Sequence, residues 1–232
     1  MFHPKGPTFM EQARQALSST ERGYDMLAPK FEYTPYLTPS WMLEAVGPMV
    51  GEVECALDVC CGTGAGLRML APSVKQRMVG IDFSQGMLNE VNVDPGDAEL
   101  ELIHGDVREM EFDGEFDIAT CFGALGHFVD EEEDLLIAKV FQALKPGGRF
   151  LFVTSFRPEP WTPTAWFTHS FNTAMRVRNA LIKPQFVMYY HTFILPGIRA
   201  KLEKAGFEVA IRNPQSWRNW RIVSATRPSV SA

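Results

Sequence analysis

The stretch 57–66 reads "LDVCCGTGAG", an apolar segment that runs directly into three glycines alternating with small residues. A glycine-rich turn after a strand lets the backbone come close to a bound nucleotide, and such turns are typical of open α/β sheets. Asp58 lies inside the apolar segment, Cys60 and Cys61 occupy the turn, and no lysine follows Gly66. These three features decide which class of ligand the turn accepts.

Three classes of ligand compete for this turn. A triphosphate loop of the GxxxxGK[ST] type needs a lysine to balance the phosphate charge, and that lysine is missing here. A dinucleotide loop needs GxGxxG, whereas the spacing from Gly62 to Gly66 is one residue short, and Asp58 disfavours a pyrophosphate. A ligand that carries a cation, such as S-adenosylmethionine, is attracted by the same acid. The residues therefore favour the cationic ligand and leave the dinucleotide as the weaker alternative.

Strands and helices alternate from residue 54 onward, which predicts an α/β fold with a doubly wound, mostly parallel sheet between two layers of helices. The first five predicted strands are 55–60, 76–82, 98–106, 115–122 and 149–156. The alternation lapses at 157–185 and resumes with a predicted strand at 186–195, a helix from Pro196 and two strands at 207–212 and 220–226. We interpret 157–185 as an insertion that covers one end of the sheet.

The first fifty residues have helical spacing of their apolar positions and predict a helical cover. Pro29 marks the end of one helix, and Thr38 is the predicted cap of the next, with Pro39 in its first turn. A chain of 232 residues fits one domain. Its predicted parts are the cover (1–50), a ligand-binding core (54–156), a substrate-side insertion (157–190) and the C-terminal part of the sheet (191–232).

Composition and charge exclude several classes of protein. No apolar run reaches the length of a membrane span, and the amino terminus lacks a signal-peptide pattern, so we expect a cytoplasmic protein without stable membrane insertion. The four cysteines lack metal-ligand spacing, so we expect free thiols and no metal.

Charge is distributed unevenly along the chain. Residues 145–232 carry 13 Lys and Arg against 3 Asp and Glu, whereas the first 144 residues carry 9 Lys and Arg against 25 Asp and Glu. The asymmetry fits two attracting faces, a charge-complementary homodimer or an anionic substrate, and the net charge of −6 argues against nucleic acid.

Five stretches of the sequence resemble the motifs of a known family. The opening stretch is similar to the first motif of class I S-adenosylmethionine-dependent methyltransferases, [LVI]D-x-G-C-G-x-G-x-G, from which Cys60 departs where glycine is frequent. Three more stretches resemble the motifs that follow, namely "GIDFSQGML" (80–88), "HGDVREMEF" (104–112) and "FDIATCFGALGHF" (116–128), and "LKPGGRFLFVT" (144–154) resembles the last common motif. The resemblance implies a Rossmann-like, seven-stranded sheet whose last strand is antiparallel, and S-adenosyl-L-methionine as cofactor.

The resemblance also implies roles for individual residues. Asp82 would accept hydrogen bonds from the ribose hydroxyls, and Asp106 would contact the adenine amine. Either Tyr24 or Tyr33, both in "YDMLAPKFEY" (24–33), would close the pocket. The implied cofactor-binding residues are Tyr24, Asp58, Cys60, Gly62, Gly64, Asp82, Phe83, Met87, Asp106, Val107, Cys121, Phe122 and Gly123. His127 follows the fourth strand and is the candidate catalytic residue, either as a general base or by shaping the pocket.

The acceptor of the methyl group is the least determined part of the sequence reading. The insertion combines aromatic residues with arginines, and three interpretations remain open. The segment could bind a small, partly apolar acceptor with an anionic group, it could form an amphipathic helix packed on the sheet, or it could form a helix that rests on a membrane surface. The candidate acceptor-binding residues are Trp166, Arg176, Arg178, Tyr189 and His191. The expected function is methyl transfer to a small molecule; a lipid or quinone methyltransferase at a membrane surface and a non-catalytic cofactor-binding module are the alternatives.

Overall fold

A computed structural model describes residues 3–190, 192–214, 217 and 219–229 of the chain. Seven strands form one sheet in the order β3-β2-β1-β4-β5-β7-β6. The strands are β1 (Val53–Val59), β2 (Val74–Asp82), β3 (Glu99–His104), β4 (Phe116–Cys121), β5 (Leu144–Ser155), β6 (Glu208–Arg212) and β7 (Trp220–Thr226). The first five strands pair in parallel, and β7 runs antiparallel to both β5 and β6. The predicted seven-stranded, mostly parallel sheet is confirmed.

The described residues form eight α-helices, which pack around the sheet and make up the amino-terminal cover. They are α1 (Phe9–Leu17), α2 (Thr20–Leu27), α3 (Ser40–Val46), α4 (Ala65–Leu70), α5 (Gln85–Asn89), α6 (Asp130–Ala143), α7 (Pro163–Leu181) and α8 (Gly197–Lys204). Two buried apolar clusters, one on each face of the sheet, form the core. Within the described part of the chain, no helix has the length and apolar character needed to cross a membrane.

The central position of β1 places the glycine turn at the edge where ligands bind in such folds. β1 lies between β2 and β4, and Asp58 is paired with Gly80 on one side and Thr120 on the other. A side chain at Gly80 would come within 2.8 Å of Leu67 on α4, so only glycine lets this helix pack so closely on the sheet. The turn after β1 therefore opens at the carboxyl end of the central strands.

The structure corrects the predicted strand at 186–195. The described residues of this segment, 186–190 and 192–195, form no strand, and Leu195 makes a β-bridge to Phe156. Two of its aromatic residues are nevertheless buried, since Phe186 and Phe193 are both less than 4% exposed. The physical reason is that β5, which ends beside Phe156, already pairs with β4 on one edge and with β7 on the other, so β5 has no free edge for another strand.

One local prediction in the helices also needs correction. Thr38 does not cap α3, because Pro39 occupies the N-cap position and no side chain caps that helix end. The insertion contains a single helix, α7, which spans 163–181. Ser84 caps α5, with its side-chain oxygen accepting from the amide of Met87 at 3.1 Å.

Candidate active site

The glycine turn after β1 forms one wall of the main cavity, which encloses about 1120 Å³ including its open mouth. Cys60, Gly62 and Gly64 all have left-handed backbone conformations, with φ of 56°, 54° and 86°. This conformation costs about 1–2 kcal/mol for a residue with a side chain, which explains why glycine is frequent at the position of Cys60 in the motif. A side chain at Gly62 would meet no atom within 4 Å, so its backbone faces the open cavity.

Asp82 fixes the turn to the end of β2. Its carboxylate accepts the amides of Gly62 and Ser84, both at 2.9 Å. The side chain is 5% exposed and lines the cavity, and burial raises the pKa of this carboxyl despite the two amide hydrogen bonds. Each carboxylate oxygen has a lone pair left after accepting one amide, so Asp82 can accept two further hydrogen bonds from a ligand in the cavity.

Asp58 is a second acid at the same wall, and it is almost fully buried. The hydroxyl of Thr120 donates to its carboxylate at 2.6 Å. Any side chain at Gly66 would clash with this carboxylate, so the glycine at that position makes room for the acid. Burial raises the pKa of Asp58 to about 7. The group is therefore half protonated near neutral pH, and a cation bound in the cavity would favour its charged form.

We expect the affinity for S-adenosylmethionine to increase with pH because of Asp58. A cationic ligand binds more tightly when Asp58 is ionised, so protonation below its pKa of about 7 weakens binding. Between pH 6 and pH 7.5 the dissociation constant should fall about eightfold in the wild type. Calorimetric titrations over this range measure the effect. The Asp58→Asn variant should show a smaller pH dependence, and equal slopes in both proteins would contradict the assignment.

Asp106 and Val107 line the cavity after β3, and the structure adds a partner that the sequence did not single out. Arg108 donates to both carboxylate oxygens of Asp106, at 2.5–3.0 Å, and also pairs with Glu132. Partial burial alone would raise the pKa of Asp106, but the hydrogen bonds from Arg108 outweigh it and lower the pKa. Asp106 is therefore held ionised and in a fixed orientation at the cavity wall.

Tyr24 and His127 form a hydrogen-bonded pair in the cavity, although 103 positions separate them in the chain. Nδ1 of His127 lies 2.6 Å from the carbonyl of Val187, which can only accept, so Nδ1 carries the hydrogen. In the neutral imidazole Nε2 is then the acceptor, and the hydroxyl of Tyr24 donates to it at 2.7 Å. Burial lowers the pKa of His127 and raises the pKa of Tyr24, so near neutral pH the imidazole is uncharged and the phenol keeps its proton.

Most of the candidate cofactor residues come together around the cavity. Its lining includes Tyr24, Asp58, Cys60, Gly62, Asp82, Phe83, Met87, Asp106, Val107, Phe122, Gly123 and His127. Gly64 and Cys121 do not line it: Gly64 is the N-cap of α4, and Cys121 is buried in the core. Sequence reasoning missed several lining residues, namely Thr20, Phe31, Tyr36, Leu37, Phe128 and Val187. Thr20, Phe31, Tyr36 and Leu37 come from the cover, Phe128 from the end of the stretch 116–128, and Val187 from the segment after α7.

Four of the five candidate acceptor residues are described by the structure, and none of these four lines the main cavity. Trp166, Arg176 and Tyr189 line a second, open cavity beside α7. The backbone amide of Tyr189 donates to the carbonyl of Gly126 at 2.8 Å, next to His127 in the lining of the main cavity. The fifth candidate, His191, lies outside the described residues, and the binding of an acceptor by these residues stays a prediction.

Arg178 has a structural role, and its expected contact with the acceptor stays a prediction. Its guanidinium donates to the carbonyls of Ala16, Ser18 and Pro184 at 2.6–2.8 Å, and it lines neither cavity. These bonds join the end of α1 to the end of α7. Arg178 therefore stabilises the cover, a role that its sequence position beside Arg176 did not reveal.

We expect the Arg178→Ala variant to lose about 2 kcal/mol of unfolding free energy, because three carbonyls lose a charged donor. Arg176 is exposed and its guanidinium lies over the ring of Tyr189, so Arg176→Ala should change stability by less than about 0.5 kcal/mol. Urea unfolding of both variants measures the difference. Equal stability of the two variants would contradict the structural role of Arg178.

Comparisons with known proteins identify methyltransferases among the proteins similar to this chain. Residues 56–148 match the family model described as a methyltransferase domain. The demethylmenaquinone methyltransferase of Oceanobacillus iheyensis is 32% identical over 126 residues, and the match spans only about half of each protein, 51% of this chain and 52% of the relative. The demethylmenaquinone methyltransferase of Staphylococcus aureus is 28% identical over 211 residues, which cover 85% of each chain.

A solved structure supports the fold. The magnesium protoporphyrin IX methyltransferase of Synechocystis, crystallised with bound SAH, aligns with a TM-score of 0.56 over 81% of this chain and 82% of that one. The two sequences are 19% identical, so this similarity concerns the fold alone. The part of the chain that the family model matches contains the glycine turn, Asp58 and Asp82.

Proposed function

We propose that this chain, which is a class I S-adenosylmethionine-dependent methyltransferase, methylates an apolar ring that carries an ionisable hydroxyl, as a quinol does. The observation that carries the proposal is the Tyr24–His127 pair in a cavity that is also lined by the apolar residues Phe31, Leu37, Phe122, Phe128 and Val187. This arrangement can remove a proton from a neutral ring hydroxyl, and it offers little to a strongly charged acceptor.

The residues of the cavity fit S-adenosylmethionine. Asp82 offers two free acceptor positions at the end of β2, Asp58 offers a buried negative charge, and Gly62 leaves the backbone open to a ligand. We assign the ribose hydroxyls to Asp82 and the cationic end of the cofactor to the side of Asp58. When bound, the cofactor supplies an electrophilic methyl group on a positively charged sulfur.

The rest of the mechanism concerns the proton of the acceptor. Tyr24 donates its hydroxyl hydrogen to Nε2 of His127, so the lone pairs of its oxygen are free to accept the hydrogen of an acceptor hydroxyl. Transfer of the Tyr24 proton to Nε2, together with transfer of the acceptor proton to Tyr24, leaves an acceptor anion and an imidazolium. The carbonyl of Val187 stabilises this imidazolium through Nδ1–H. A deprotonated ring hydroxyl makes its oxygen and the neighbouring ring carbon nucleophilic.

We assign an acceptor side to the apolar and aromatic lining residues Phe31, Tyr36, Leu37, Phe122, Phe128 and Val187, which favour an uncharged, flat molecule. Among the described lining residues, the one lysine or arginine is Arg108, which is already paired with two acids. An anionic acceptor therefore finds no unpaired cation among the lining residues, whereas an aromatic ring can pack against Phe31 and Phe122. The names of the two bacterial relatives, demethylmenaquinone methyltransferases, point to the same class of acceptor.

The test is a transfer assay with methyl-labelled S-adenosylmethionine and the purified protein. We expect label in a reduced short-chain demethylmenaquinone, and no label in the same compound after both ring hydroxyls are blocked as ethers. Nuclear magnetic resonance of the product identifies the methylated atom. Label only in carboxylate or phosphate acceptors would overturn the proposal. Tight cofactor binding without transfer to any hydroxylated ring would instead favour a cofactor-binding module without catalysis.

A further inference from the structure

Helix α1 of the cover buries a polar side chain and exposes its apolar ones. The one buried residue of α1 is Gln15. By contrast, Phe9, Met10 and Leu17 are 75%, 63% and 57% exposed. A surface helix of a globular protein normally presents the opposite pattern, with its apolar stripe facing the core. The exposed side of α1 therefore has the character of a surface that contacts another apolar phase.

Helix α7 shows the same inversion on a larger scale. Two of its three buried residues, Thr168 and Asn179, are polar. Its exposed apolar residues are Trp166 (69%), Phe167 (61%), Val177 (53%) and Leu181 (79%), and Trp161 just before the helix is 77% exposed. This is far more exposed apolar and aromatic area than scattered surface residues explain.

Specific hydrogen bonds hold both helices in this orientation. The side-chain amide of Asn179 accepts from the backbone amide of Phe186 at 2.9 Å and donates to its carbonyl at 3.0 Å. Arg178 binds the carbonyls of Ala16 and Ser18, which flank Leu17. Leu181 follows one turn after Arg178 on α7, so Leu17 and Leu181 lie at the same junction. A rotation that buried the apolar side of α7 would break these bonds, and the exposure is therefore built into the cover.

Charge indicates what this surface contacts. The segment 157–190 contains three arginines and one lysine but only one acid, Glu159, in a chain whose net charge is −6. Arg157, Arg176 and Lys183 make no ion pair among the described residues. Cations beside exposed tryptophan, phenylalanine and leucine match a bilayer surface, where apolar side chains enter the headgroup region and anionic lipids attract the basic ones.

We propose that α7 and the adjoining end of α1 form a docking surface for an anionic lipid bilayer. The surface is defined by Leu17, Trp161, Trp166, Phe167, Val177 and Leu181, with Arg157, Arg176 and Lys183 as its cations. The contact is peripheral and holds the cover of the main cavity against the lipid. The inference goes beyond the proposed function and does not depend on it, because lipid binding is measured without any methyl transfer.

Co-sedimentation of the full chain with lipid vesicles tests the proposal. We expect binding to phosphatidylcholine vesicles that contain phosphatidylglycerol, and much weaker binding to phosphatidylcholine alone. High salt should weaken the binding, because the electrostatic part is screened. The Arg176→Gln/Lys183→Gln double variant should bind about 30-fold more weakly, since each cation near an anionic surface contributes about 1 kcal/mol.

Apolar variants separate a lipid surface from other partners. Trp166→Gln/Phe167→Gln/Leu181→Gln should lose vesicle binding by at least about tenfold while keeping wild-type cofactor affinity. The matched control, Leu102→Gln/Leu135→Gln, removes two exposed leucines outside the surface and should bind vesicles like the wild type. Equal loss in the control and the α7 variant would overturn the proposal. A second result would also overturn the proposal: the wild type does not bind vesicles but forms a dimer, and the α7 variant disrupts that dimer.

Discussion

The Asp82→Ala variant is expected to bind S-adenosylmethionine at least about 100-fold more weakly than the wild type. The substitution removes the acceptors that we assign to the ribose hydroxyls, and hydrogen bonds to a charged group contribute about 1.5–3 kcal/mol each. It also releases the amide of Gly62, which Asp82 holds at 2.9 Å, so the glycine turn loses its fixed position. Isothermal titration calorimetry with the cofactor and with SAH measures the effect.

Two further variants interpret the result for Asp82. Asp97→Ala removes an exposed acid fifteen positions later in the chain and should leave the affinity unchanged. Asp82→Asn keeps one carbonyl oxygen but presents an amide group to a backbone donor, so its affinity should fall between the other two. Circular dichroism shows whether each variant is folded. Wild-type affinity in a folded Asp82→Ala variant would show that Asp82 does not bind the cofactor.

The cofactor half of the site could be predicted because its chemistry is local in sequence. Asp58 lies within a few residues of the glycine turn, and Asp82 ends the next strand, so the parallel pairing of β1 and β2 brings them together without further information. The glycines are required for steric reasons, and a short sequence motif is enough to identify them. At Gly66, for example, only the absence of a side chain leaves room for the carboxylate of Asp58. Even Cys60, the departure from the motif, fits the turn with a left-handed backbone.

The acceptor half could not be predicted, because it depends on contacts between distant segments. His127 was identified from its position after β4, but its two partners, Tyr24 and Val187, come from the cover and from an irregular segment. The segment 186–195 has the composition of a strand, yet β5, beside which its Leu195 lies, is already paired on both edges. Arg176 and Arg178 are the same residue type two positions apart, so the sequence does not distinguish them. Only the fold shows that Arg178 stabilises the cover while Arg176 is exposed.

The Tyr24→Phe variant is expected to lower kcat about 100- to 10,000-fold, the range that general base catalysis contributes. Phenylalanine preserves the ring but removes the hydroxyl that links the acceptor to Nε2 of His127. The His127→Asn variant should lose a similar factor, because it removes the final acceptor of the proton. Cofactor affinity should stay near the wild-type value in both. Turnover of the reduced demethylmenaquinone and cofactor titrations together measure the two effects.

A proton relay makes two demands that a structural role for this pair does not. If both residues act as one unit, the double variant should be no slower than the slower single variant, whereas independent roles would multiply the two losses. The pH profile gives the second test: neutral His127 is the active form, so kcat falls as the pH drops through its pKa, which burial lowers below the ordinary 6.5. That acid limb should disappear in His127→Asn. Tyr33→Phe, the same change at a ring outside the cavity, should retain wild-type turnover. If the losses multiply in the double variant and the acid limb is unchanged in His127→Asn, the pair has only a packing role and the proton relay is wrong.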